Sequence, residues 1–339
     1  MAVSARRVGK RVLTAIILLA LAAGAVYCVM NRQAIQDTFA AIGYEPSVRE
    51  AKVMADLQLT PEGERVFRAS HPTVDGSLHF KEQCAEVDHS EQGHVLGCYT
   101  QRRIHLYDVT DERVSGVVEV TAAHELLHAG YSRLGEGDRL ELSEKLRKEY
   151  ERLSAADPAL KERMSVYTHL SEASFANELH SVLGTEVRIL PEWLEEHYAR
   201  WFTNRAALVD RFDAYHTVFT DLQNEATALS EQMTSLREDI EARKVAYDAD
   251  VQAYNDDTAA FNARNQRREF AKDPDEFNRI RGELETRRDE LQVRLDTLQG
   301  DIDHYNELRG RLVELSELST ELDEQLNSDL APVTTRPSE

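Results

Sequence analysis

VVEVTAAHELLHAG, residues 117–130, decides how the chain around it is read. It is small or apolar nearly all round, which suits a helix buried on every side. Yet it carries two histidines four apart, with a glutamate directly after the first. A helical residue and its fourth successor share a face, so His124 and His128 point the same way. Burying such polar groups is costly unless something pairs with them. Two imidazoles from adjacent turns can hold one Zn2+ at about 2.0–2.1 Å each. Glu125 lies too far round the helix to ligate comfortably, but it can take a proton from attacking water that the metal acidifies. A catalytic zinc normally has three protein ligands and an open position. One more ligand is needed.

The flanking sequence is mostly helical in character. The 339 residues include only 15 glycines and 8 prolines, and long runs rich in Glu, Leu, Arg, Ala and Gln favour helix. Residues 31 to about 75 read as helical, with a stop near Pro72. VLGCYT and RIHLYDV alternate apolar and polar residues as two short strands. The motif helix is expected over Val114 to Leu134, capped by Asp108 or Asp111 and ended by Gly135 and Gly137. Further helices are expected over Asp138 to Leu153 and over Leu170 to Leu183, the latter stopped at Gly184. A fourth begins at LPEWLEEHYARWF, where Pro191 suits a first turn.

The stretch SFANELHSVLGTE, residues 174–186, offers the missing ligand. With HELLH it makes the chain resemble the zincin metallopeptidases, in particular the glutamate-zincin branch. Members of that branch carry HExxH on one helix and a zinc-binding glutamate on a later one, often within an NExxS-like pattern. Asn177, Glu178 and Ser181 match that pattern. The resemblance implies a small α+β catalytic domain with one Zn2+ per chain, held by His124, His128 and Glu178, and Glu125 as general base. Forty-nine residues separate His128 from Glu178, so Glu172 and His180 stay open as alternative ligands. His180 is equally open as a donor to the tetrahedral intermediate or as an ordinary histidine. Zincins also use an edge strand beside the motif helix to pair with extended substrate, a form of β-augmentation. Arg103, Ile104, His105, Leu106 and Tyr107 are expected to supply it. YSRL after the motif lacks the third histidine of the metzincin branch.

At the N-terminus, Arg6, Arg7, Lys10 and Arg11 precede an uncharged apolar run from Val12 to Met30. Nineteen helical residues nearly match a bilayer core. The run reads as an uncleaved signal anchor, a cleaved signal being the alternative. The basic excess before it leaves the N-terminus in the cytoplasm and the rest of the chain outside. In an oxidising compartment Cys84 and Cys98, the two cysteines beyond the span, are expected to pair across a polar, loop-like stretch.

After residue 204 the pattern becomes heptad. Phe212, Phe219, Ala226, Met233, Ile240, Tyr247, Tyr254 and Phe261 fall every seven residues, with Leu208, Tyr215, Leu222, Leu229 and Leu236 as companion seam. Beyond AKDPDEF the repeat resumes at Phe277, Leu284, Leu291 and Leu298. Its companion seam drifts from Leu295 and Ile302 to Leu308, Leu315 and Leu322, which implies a register slip. Two heptad helices joined by an Asp-Pro turn read as an antiparallel coiled-coil hairpin over 204–328, its tip near 265–276. Residues 329–339 read as a disordered tail. The expected organisation is therefore an anchor over 1–31, a zincin-like domain over 32–203 and the hairpin.

A formal net charge of −21 excludes nucleic acid as an expected partner, since phosphate binding needs a concentrated basic surface. The expected partners are a protein or peptide substrate, the membrane, and a protein or second copy at the hairpin. The competing reading is an interaction protein that acts through its hairpin and keeps only a structural or degenerate metal site.

Overall fold

The computed structural model describes residues 2–85 and 95–329, with side chains from residue 16 onward. The protein is mainly helical with one three-stranded sheet. It divides into two compact units. Phe219–Leu322 forms one, and the described chain up to Val218 and from Asp323 onward forms the other.

Helix α1 (Ala2–Met30) contains the apolar run. The side chains of residues 12–15, within the expected span, lie outside the described residues. Among the described residues no single helix is long and apolar enough to cross a membrane. One pair, Ile16–Met30 with Arg32–Ala41, passes together across a 72° bend.

The helix expected over 31–75 is three short ones: α2 (Arg32–Ala41), α3 (Val48–Asp56) and α4 (Pro61–Ala69). Local caps divide it. The Ser47 hydroxyl accepts from the Glu50 amide while the Glu50 carboxylate accepts from the Ser47 amide, a reciprocal capping box. Thr60 caps α4, with Pro61 in its first turn.

Strand β1 (Thr73–Asp75) and helix α5 (Ser77–Cys84) follow, then β2 (Gly97–Thr100) and β3 (Arg103–Tyr107). A disulfide joins Cys84 at the end of α5 to Cys98 in β2, with Cα atoms 6.0 Å apart. Residues 86–94, in the loop expected between them, lie outside the described residues. The sheet order is β1-β3-β2, with β1 parallel and β2 antiparallel to β3. The expectation that Arg103–Tyr107 is the edge strand is therefore overturned. Among the described residues β3 is paired on both sides, with β1 at His105–Tyr107 and with β2 at Arg103–Leu106, so it is the central strand and not an edge. Among the described residues β1 and β2 are the two edges, and β2 is the one beside the motif helix.

Asp111 caps a 3-10 turn at Glu112–Val114 rather than the motif helix itself. Helix α6 (Val117–Ser132) starts after Gly116, whose φ of 99° lies in the left-handed region that glycine adopts without strain. Then come α7 (Glu136–Ala156), α8 (Pro158–Ser165), α9 (Glu172–Glu186) and α10 (Glu192–Tyr198). Helix α9 does not stop at Gly184. A Cβ there would lie 2.3 Å from Leu127 Cδ1 and 2.8 Å from a Tyr198 ring carbon. The glycine is an allowance for close packing of α9 on α6, not a terminator. Leu126, Leu127, Leu179, Leu183 and Tyr198 fill this part of the core, each fully buried.

Helix α11 (Arg205–Gln266) continues from the first unit into the second, where α12 (Pro274–Leu326) runs back. Ion pairs fix the antiparallel register: Asp250 with Arg294 at 2.6 Å, Asp257 with Arg287 at 2.8 Å and Arg243 with Asp301 at 2.5 Å. Each step of seven along one arm is matched by seven back along the other, as heptad pairing requires. Leu229, Leu291, Leu298 and Leu308 are buried. Leu295 and Ile302, expected in the seam, are 38% and 46% exposed, because the seam has rotated past them. At the tip the helix breaks at Arg268 (φ 60°), and Phe261, Phe270 and Phe277 cluster with centroids 5.2–5.7 Å apart. The hairpin unit begins later than residue 204. Leu208 and Phe212 are buried in the first unit.

Candidate metal centre

Small residues let α9 approach α6 closely: Ala122, Ala123 and Ala129 are fully buried on α6 and Ala176 on α9. That approach brings Glu178 to the histidine pair. Its Oε2 lies 3.5 Å from His124 Nε2 and 3.4 Å from His128 Nε2. These separations exceed the 2.7–2.9 Å of a charge-assisted hydrogen bond. They match the edge of a tetrahedron whose centre lies 2.0–2.1 Å from each corner, about 3.3–3.4 Å. The two imidazole rings lie edge to face with centroids 4.7 Å apart. The donor set of two imidazoles and one carboxylate is one that zinc accepts. Glu125 is buried, and its carboxylate joins the two imidazoles in a group whose ligand atoms lie within 4.8 Å of one another.

Helix α9 also supplies the support. Ser181 Oγ lies 3.2 Å from His128 Nδ1. It is one turn beyond Glu178, so one helix face presents both the carboxylate and the hydroxyl. The charges in the site oppose burial. Burial pushes the His128 imidazole down, but the Glu178 and Glu125 carboxylates override it and hold the group up to about 10. Burial lowers His124 despite its Glu178 contact. Burial alone would raise the Glu178 carboxyl, and the two histidines instead hold it far below the usual carboxylate range. A divalent cation would take over from the proton on His128 as the countercharge.

A cleft of about 280 Å³ opens onto these residues. Strand β2 forms one wall. A Cβ on Gly97 would meet Thr121 Cγ2 at 2.5 Å and Glu125 Cγ at 3.0 Å, so only glycine lets the strand lie this close to the motif helix. Tyr167, Glu186 and Tyr215 complete the lining. Burial raises the Glu186 carboxyl to about 7, against the pull of Arg163 at 3.0 Å.

The other expected site residues fall elsewhere. Glu172 is the first residue of α9, its side chain 83% exposed and paired with Arg147 at 2.9 Å. The structure does not bring it to the histidine pair. His180 is fully buried and faces the opposite side of α9, with Nε2 2.9 Å from His197 Nε2 and its ring against Tyr131, Tyr198 and Trp201. Among the described residues it is packed in the core and does not line the cleft. His105 is buried and bonded to Thr73 at 3.0 Å. Tyr167, Glu186 and Tyr215 were not singled out from the sequence. Tyr215 lies at a heptad position, so its spacing alone places it in the seam, and Glu186 is the last residue of α9.

No protein-family model, no curated protein and no solved structure matches this chain. The likeness to zincins therefore rests on the HELLH and NELHS residues and on the geometry above.

Proposed function

We propose that this protein is a zinc-dependent metallopeptidase of the glutamate-zincin type, anchored by its N-terminal helix and acting outside the cytoplasmic membrane. The observation that supports it most is that Glu178 Oε2 lies 3.5 Å from His124 Nε2 and 3.4 Å from His128 Nε2, with Glu125 beside the imidazoles in an open cleft. Zinc held there supplies Lewis-acid polarisation of a peptide carbonyl and acidifies water. His124 and His128 present Nε2. With Ser181 Oγ accepting from Nδ1–H of His128, the Nε2 lone pair of that ring is left for the metal. Glu178 contributes the negative charge. Glu125 takes the proton from the attacking water and returns it to the leaving amine. Strand β2, an edge strand among the described residues, offers main-chain hydrogen bonds to an extended peptide. The disulfide and the basic flank of α1 support an extracytoplasmic address.

An interaction protein working through its hairpin is the second reading, favoured by the half-exposed Leu295, Ile302 and Val313 of α12. A purely structural zinc takes four protein ligands and leaves no open position. The open cleft and the intact Glu125 therefore weigh toward the enzyme.

Elemental analysis of the full-length protein tests the reading. About one zinc per chain is expected in the wild type and in Glu172→Ala, with loss in Glu178→Ala. Glu125→Gln should keep the metal and lose roughly 10²- to 10⁴-fold in peptide hydrolysis. A folded wild type that refuses added zinc overturns the enzyme reading and leaves the hairpin as the working part.

A further inference from the structure

A second cavity, of about 550 Å³, is lined in part by His128. Tyr99, His128 and Asn177 line both it and the catalytic cleft, so the two are neighbouring compartments of one trough. Its character differs from that of the cleft. Three acids, Glu125, Glu178 and Glu186, line the cleft. The second cavity is lined by Arg139, Ser143 and Arg147, at intervals of four along one face of α7, and faces the buried Tyr131 of α6 and Ser174 of α9.

The two guanidiniums differ in what already holds them. Arg147 pairs with Glu172 at 2.9 Å, but that carboxylate is 83% exposed, and so exposed a pair is worth little and is easily exchanged. Arg139 has no ion pair among the described residues and is only partly exposed. Glu136 also lines the cavity, but it lies in the first turn of α7, where the helix dipole already favours it. Both guanidiniums act on the Tyr131 phenol and oppose the rise that burial imposes on it, so their field reaches the cavity floor. A planar guanidinium with free donors beside hydroxyls is the arrangement that binds a carboxylate through two parallel hydrogen bonds.

We propose that this cavity is a substrate subsite for a carboxylate, held by Arg139 with Arg147, so that the enzyme selects peptides bearing an acidic group on one side of the scissile bond. The proposal rests on the peptidase reading and adds its substrate class. The carboxylate belongs either to an Asp or Glu side chain or to a peptide's free C-terminus. The chain as a whole repels such ligands, since its formal net charge is −21. Preference for an acidic peptide is therefore a local property and not an electrostatic average.

The test uses a random hexapeptide library in two halves, one amidated and one with free C-termini. Each half is passed over immobilised full-length Glu125→Gln protein loaded with zinc, and retained peptides are sequenced by mass spectrometry. Asp and Glu should be enriched by about tenfold or more over the input. Enrichment in the amidated half identifies a side-chain carboxylate, and enrichment confined to the other half identifies the terminus. Arg139→Gln in the same background should lose the enrichment, and Arg139→Glu should select Lys and Arg instead, both with zinc content unchanged as the check of folding. Retention indifferent to peptide charge, or acidic enrichment that survives both substitutions, overturns the subsite. Cleavage of the same library by the wild type is scored separately. Cleavage without acidic retention removes the subsite alone, while acidic retention without cleavage removes the peptidase reading alone.

Discussion

Histidine serves three different ends in this protein, and burial and partners separate them. His124 and His128 face Glu178 across a cleft, His180 and His197 bond each other in the core, and His105 is buried in the central strand. His105 makes a testable contribution to stability. Burial, aided by Arg103 and opposed by Asp75, holds its imidazole down to about 4. Unfolded, it titrates near 6.5. Between those values the unfolded chain binds the extra proton, so stability rises with pH across the window. The contribution is complete above about pH 6.5 and is lost as the pH falls to about 4, amounting to roughly 3 kcal/mol at most. His197, also held down to about 4 by burial, acts in the same direction. Thermal unfolding of metal-free protein should therefore weaken from pH 6.5 to 4, and His105→Gln should show a shallower fall. An identical slope in the variant would remove His105 from the account. The motif histidines were legible in the sequence because their spacing is local. The difference between His180 and a catalytic histidine was not, because both lie on a helix and only the neighbouring elements decide which side is core.

Among elements, the pairing of β2 with α6 sets the shape of the site. Gly97 lets the strand reach Glu125, and Thr121 is the side chain that a larger residue would strike first. Gly97→Ala should cost about 1–3 kcal/mol through overpacking and, if the proposed peptidase reading holds, lower peptide turnover by displacing Glu125. Thr121→Ser deletes the methyl that the new Cβ meets, so the double variant should recover part of both losses. Additive effects in that cycle, read by chemical denaturation and kcat, would show that the two positions do not touch. Strand propensity marked RIHLY correctly as a strand, since alternation is a property of five consecutive residues. Its place in the middle of the sheet depends on β1, only three residues long and without an alternating signature of its own. Gly184 likewise takes its meaning from its neighbours. A glycine late in a helical pattern reads as a stop, whereas here it makes room for Leu127 and Tyr198.

At the scale of the whole molecule, two compact units have separate sources of stability. The hairpin unit is held by its leucine seam and register-setting ion pairs. The first unit holds a layered core and the candidate metal centre. A ligand that binds only the folded state of one unit stabilises that unit by mass action. Calorimetry should resolve two transitions, of which a chelator lowers one; at free zinc one hundred times Kd the bound state gains about 2.7 kcal/mol. Glu178→Ala should abolish that shift without moving the other transition. A single transition, or an equal response of both, would contradict the separation. The heptads announced the hairpin because seven-residue periodicity persists over fifty residues in each arm. They overran its start, because Leu208, Phe212 and Tyr215 keep the hairpin's phase while serving the first unit.

The sequence by itself determined the helix that carries His124, Glu125 and His128, the two long arms with their turn, and the apolar N-terminal run. Each is written in consecutive residues or in residues four or seven apart, and such patterns are read without knowing what packs against them. Only the tertiary structure decided that Glu178 and not Glu172 faces the histidines, that β3 lies in the middle of the sheet with β2 beside the motif helix, and that Tyr215 lines the cleft. Those outcomes depend on how closely α9 and β2 approach α6. That approach is set by Gly184, Gly97 and the buried alanines, residues far apart in the chain whose small size acquires a meaning only when the helices and the strand meet.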